Sequence, residues 1–132
     1  MPFDAKLAVQ AAVFSALSDP ARNDAVVWQH VPDEAEPPLI VVDKITLTSV
    51  AGKGGGLDEA EFDIVTLIRS AGREFLTPIM AENRARIEEQ ALSFDGATLS
   101  RPIFVSDDDG VLDDGITYFG TQRFSLFVQP AD

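Results

Sequence analysis

The chain has 132 residues, 45% of them hydrophobic, which suits one domain, residues 1–132, burying roughly two-thirds of its unfolded surface. Its 22 Asp and Glu against ten Lys and Arg give a net charge of -12, which disfavours a nucleic-acid or anionic-membrane surface, and the absence of Cys removes disulfides, thiolate metal sites and thiol nucleophiles. No apolar run approaches the ~20 residues of a bilayer span, and the opening MPFDAKLAVQ lacks the basic and long apolar regions of a signal peptide, so a cytoplasmic origin is expected.

Residues 3–18 predict an amphipathic helix with Phe3, Leu7, Ala11, Phe14 and Leu17 on the buried stripe, Asp4 at its start and Ser18, Asp19, Pro20 as its stop. Residues 25–31 read as a strand, ended by the Pro-containing stretch 33–38. A second strand covers 39–49, apolar at first and then alternating, so that one end is buried on both faces. Gly52, Lys53, Gly54, Gly55 and Gly56 form a connection that packs little and is expected to be mobile and to contact partners. The third strand, about 57–70, sets Phe62, Ile64, Thr66 and Ile68 against Asp63, Val65, Leu67 and Arg69. A second helix, about 74–92, carries Leu76, Ile79, Met80, Asn83, Ile87 and Leu92 inward and Arg84, Arg86, Glu88 and Glu89 outward, with Pro78 in its first turns. Residues 98–106 and 116–128 complete the set as strands four and five. The order α-β-β-β-α-β-β predicts an α+β fold: a mostly antiparallel sheet of about five strands with two helices on one face.

Chemical motifs are sparse. Lys53 follows Gly52, but Gly54 stands where a phosphate loop requires Ser or Thr. Asp107, Asp108, Asp109 and Gly110 resemble a calcium loop that lacks its acids at Val105 and Ile116. His30 is the only histidine, so neither a Ser-His-Asp set nor a multi-His metal site is expected to be built around it as a catalytic centre. No catalytic, cofactor or metal residues are assigned. The acids, however, are unevenly placed. Asp33, Glu34 and Glu36 fall in the first turn; Asp58, Glu59, Glu61 and Asp63 open the third strand; Asp107, Asp108, Asp109, Asp113 and Asp114 fill the last turn. The rest of the chain is neutral, with ten acids facing ten bases. First-turn and last-turn acids are expected at one end of the sheet, opposite the Gly-rich connection, as an acidic pole; ordinary acidic turns that favour solubility are the plainer account.

The sequence VVWQHVPDEAEPPLIVV (26–42), the strand end Ile68 to Arg73, the Ala81 to Ile87 segment with Arg84 between, and the last-strand segment Thr117 to Phe124 together resemble the tail terminator, or tail completion, proteins of long-tailed phages, prophages and gene transfer agents. The resemblance spans nearly the whole chain. It implies a structural protein and not an enzyme, forming a homohexameric ring at the tail–neck junction of a phage-like particle assembled in the bacterial cytoplasm. Such a ring caps the head-proximal end of the tail tube, stops its polymerisation and joins it to a neck or head completion protein, while DNA passes the lumen without specific binding and no membrane or cofactor takes part. It also implies backbone roles for Gly72 and Gly120, core roles for Tyr118 and Phe124, and a salt bridge or subunit contact for Arg73 and Arg123. Another head completion or joining protein of the neck, and an acidic-site enzyme, are the competing readings.

Overall fold

The computed structural model describes residues 3–50, 56–69 and 72–131. Helix α1 spans Ala5–Ser18, and Asp4 caps it, its carboxylate accepting the Leu7 N–H at 3.0 Å. Its buried face is Ala5, Ala8, Val9, Ala12, Val13, Ala16 and Leu17, rotated away from the expected stripe. Both sides of this helix are apolar, so periodicity does not choose between them; the Ala and Val side lies closer to the sheet and wins. Phe3 and Leu7 are left exposed and Phe14 half-buried.

Strand β1, Val26–Trp28, is shorter than expected and runs parallel to β2, Leu39–Ser49, with Val26 opposite Leu39 and Trp28 opposite Val41. Connection 29–38 carries the chain back to the end where β1 began, which a tight hairpin would not do. From β2 onward pairing is antiparallel, through β3 (Asp58–Arg69) to β6 (Thr117–Pro130). The expected fourth strand divides in two. β4, Ala97–Leu99, pairs with the end of β6, and β5, Ile103–Val111, pairs with its first two-thirds. The sheet therefore has six strands in the order β1-β2-β3-β6-β4, with β5 beside β6 on the same edge as β4. Register shifts at Val42/Lys44 and Phe104/Ser106 mark bulges that bend it.

Helix α2, Thr77–Glu89, follows a short 3-10 turn at Arg73–Phe75 and has Pro78 in its first turn, where a missing N–H is harmless. Both helices cover one face of the sheet. Phe62, Ile64 and Ile68 of β3 and Phe124, Leu126 and Val128 of β6 meet Val9, Val13 and Leu17 of α1 and Ile79, Met80 and Ile87 of α2. Phe62 and Phe124 stack with centroids 5.6 Å apart, and Phe104 meets Phe124 edge-on. Gly120 is required by this packing, because a Cβ there would overlap the Met80 side chain. Gly72 is not: its φ of 167 is ordinary extended backbone with open space around it.

Arg86 is a second correction on the helices. It is buried, not on the wet side, and donates to Glu82 at 2.7 Å, to the Leu17 carbonyl at 3.1 Å and to the Pro20 carbonyl. Gln90 donates to the Ala16 and Asp19 carbonyls, so α2 side chains close the carboxyl end of α1. A cation there also complements the helix dipole.

Candidate functional site

The helix-free face of the sheet carries a row of paired residues, Lys44, Asp63, Arg123 and Ser106, contributed by β2, β3, β6 and β5 in turn. Residues opposite one another in a sheet share a face, so cross-strand register places alternating charges side by side. Arg123 holds Asp63 with two hydrogen bonds, 2.8 and 3.2 Å, and lies 3.7 Å from Glu61. Asp63 in turn holds the Arg123 guanidinium above its ordinary pKa. The expected salt-bridge role of Arg123 is thus met within the chain. Toward the other end, the row Leu39, Leu67, Phe119, Gly110 is apolar, and Leu39 is buried although no helix covers this face.

The acids expected in the last turn do not all lie there. Asp107, Asp108 and Asp109 are within strand β5, opposite Gln122, Thr121 and Gly120, and only Asp113 and Asp114 occupy the turn. The long partner strand β6 supplies the pairing that draws the acids into the ladder, a tertiary effect that acid-rich composition hides. Asp109 pairs with Arg73 at 2.6 Å, tying the segment before α2 to the sheet edge. Asp114 accepts the Ile116 and Thr117 N–H groups and the Thr117 hydroxyl, at 2.9, 2.8 and 2.6 Å. Those bonds, the hydroxyl first, hold its carboxyl below the usual range. It is a turn-closing residue.

Asp33, Glu34 and Glu36 lie in connection 29–38, which enters β2 at Leu39, opposite Leu67; the β5–β6 turn closes at Val111 and Tyr118, opposite Ile68. Both therefore fall at the same end of β3, but at opposite edges of the sheet. The β2–β3 connection falls at the other end, where Ser49 faces Asp58. Of the candidate contact residues there, Gly52, Lys53, Gly54 and Gly55 lie outside the described residues, and Gly56 has φ +71, the left-handed conformation glycine tolerates. His30 is exposed, and among the described residues no group of three or more His, Asp and Glu is arranged to hold a metal.

One cluster escapes sequence reading. Asn83 donates to Thr66 at 3.0 Å and Gln122 at 3.2 Å, and accepts from Arg22 at 2.8 Å; Gln122 donates to the Met80 carbonyl. Arg22 also grips Asp24 with bonds of 2.6 and 2.8 Å, and that guanidinium, chiefly by hydrogen bonding, lowers the Asp24 pKa. Only the polar positions Thr66 and Asn83 amid apolar stripes hinted at it. Every polar group in the cluster that could be orphaned has a partner, which identifies it as a structural clamp between helices and sheet.

The family model described as "Tail completion protein gp17" matches residues 5–129. The chain belongs to the tail completion protein family. This tail completion protein is a structural component in assembly of a phage-type tail. It is also similar to a solved chain from the virion of a native gene transfer agent (GTA) particle, with 17% identity over 97% of this chain and 99% of that one and a TM-score of 0.78. That likeness shows a shared fold. No curated protein matches the sequence.

Proposed function

We propose that this tail completion protein is a tail terminator: copies close into a ring, a hexamer, on the head-proximal end of the tail tube, halt its growth and present a surface to a neck or head completion protein. The observation that carries this reading is the family match over residues 5–129. It is supported by near-complete mutual coverage with a virion chain, so that no extra domain separates the two folds. The exposed apolar side chains on the β5 edge and on α1, given below, suit contacts that only assembly would bury.

Under the same reading, Asp107, Asp108, Asp109, Asp113 and Asp114, together with Asp33, Glu34 and Glu36, give the ring an acidic end past which DNA slides without sticking, because like charge opposes phosphate binding. Gly52, Lys53, Gly54, Gly55 and Gly56 would meet tube or neck protein from the opposite end. Copies of net charge -12 repel one another, and salt screens that repulsion over about 8 Å at physiological strength. Isolated protein should accordingly be monomeric or weakly associated at low salt and assemble at high concentration or on tube ends. Native mass spectrometry across a salt series tests this: a hexamer tightest at the lowest salt would contradict it.

A further inference from the structure

The first turn of α1 leaves Phe3 and Leu7 on the surface, 38% and 51% exposed, when nothing in the fold requires it. Together with Phe94 they line an open groove of about 1020 Å³ below the Asp58 end of the sheet. Its rim carries the carboxylates of Asp4, Asp58 and Asp95, with Lys6 the one base. An apolar floor inside an acidic rim suits an apolar knob that brings a cation with it.

Such a knob lies on the sheet edge. Ile103, 63% exposed, has the highest exposure of any large hydrophobic side chain among the described residues, and Val105 is 48% exposed. Arg101 is exposed beside them and enters no ion pair among the described residues. The register skips Val105 between the Phe104 and Ser106 pairs, so the edge is bulged there, and Asp107, Asp108 and Asp109 follow at once. A bulge and adjacent like charges obstruct addition of a further strand, leaving side-chain insertion as the mode this edge favours.

We propose that a second copy of this chain seats Ile103 and Val105 in the Phe3, Leu7 and Phe94 groove, with Arg101 against the Asp58 and Asp95 rim. Groove and knob are different surfaces of one molecule, so the contact is head-to-tail: each copy that fills a neighbour's groove keeps its own groove open for the next, the geometry that closes a ring. A two-fold contact is opposed from both sides. Groove on groove stacks three carboxylates on three, and knob on knob opposes Arg101 to Arg101 and the β5 acids to their equivalents. The proposal rests on the ring reading and adds to it which residues meet.

The chain contains no Cys, so engineered thiols report this contact without background. Leu7→Cys and Ile103→Cys chains, prepared separately and oxidised mildly under assembling conditions, should give disulfide-linked dimers only when mixed, and the double variant should give a ladder of multiples. Assembled rings with no such cross-link, or cross-linking by Leu7→Cys chains alone, would overturn the contact while leaving the ring reading intact. A chain that remains monomeric at every salt and concentration, and with purified tail-tube protein, would overturn both. As an independent arm, Arg101→Glu and Asp95→Lys should each weaken association at least tenfold, and their combination should recover most of the loss; far-UV circular dichroism confirms folding of each variant. Equal association of all four proteins would contradict the proposal.

Discussion

The two faces of the sheet are made by the same strands yet follow different rules. On the helix-covered face, Phe62, Ile64, Phe124 and Leu126 are essentially inaccessible and the polar groups Thr66, Asn83 and Gln122 are mutually satisfied. On the helix-free face and the β5 edge, charges form an exposed row and Ile103 and Val105 project into solvent. The first arrangement is what stability requires of a chain alone; the second stays unexplained until another molecule is considered. The contrast teaches where to look for function in a protein without a catalytic motif: on the surface that folding leaves unfinished.

Substitutions should separate the two faces by size of effect. Phe124→Ala removes a ring packed against Phe62 and Phe104 and should cost roughly 3–5 kcal/mol in denaturant unfolding. Asn83→Ala leaves Thr66, Gln122 and the buried Arg22 short of a partner and should cost about 2–3 kcal/mol, more than its size suggests. Asp24→Asn should cost about 1 kcal/mol near neutral pH, since Asp24 is a third exposed although Arg22 is buried. Because the folded pKa of Asp24 is depressed, its contribution is present above the unfolded value of about 4 and fades as pH falls through the folded value; the variant's stability should therefore change less than the parent's across that acid limb. Replacing Asp107, Asp108 and Asp109 together by Asn should leave thermal stability nearly unchanged, within ~0.5 kcal/mol, while flattening the salt dependence of assembly. A large loss of stability there would erase the distinction between the faces.

Much of the fold was legible. β2 falls where its alternation predicts, β3 differs by about a residue at each end, and Asp4 caps α1 as its position suggests. Local sequence failed where long-range contacts decide. The parallel β1–β2 pair depends on the path of connection 29–38, the acids of β5 become a strand because β6 is long enough to pair with them, and Arg86 is buried because α1 presents carbonyls to it. The side of α1 that faces the sheet was undetermined because both sides are apolar, and that ambiguity is itself informative: Phe3 and Leu7 are apolar without being core. The family was readable from the order and spacing of weak motifs, none of which would identify it alone.

The central claim, that this tail completion protein terminates tubes, is tested most directly by electron microscopy of tube lengths when purified tail-tube protein polymerises with and without it. Tubes capped at one end, with a length distribution that shortens as the ratio of this protein rises, are the expected result. Uncapped tubes of unchanged length, with the protein bound instead to a portal complex, would contradict it.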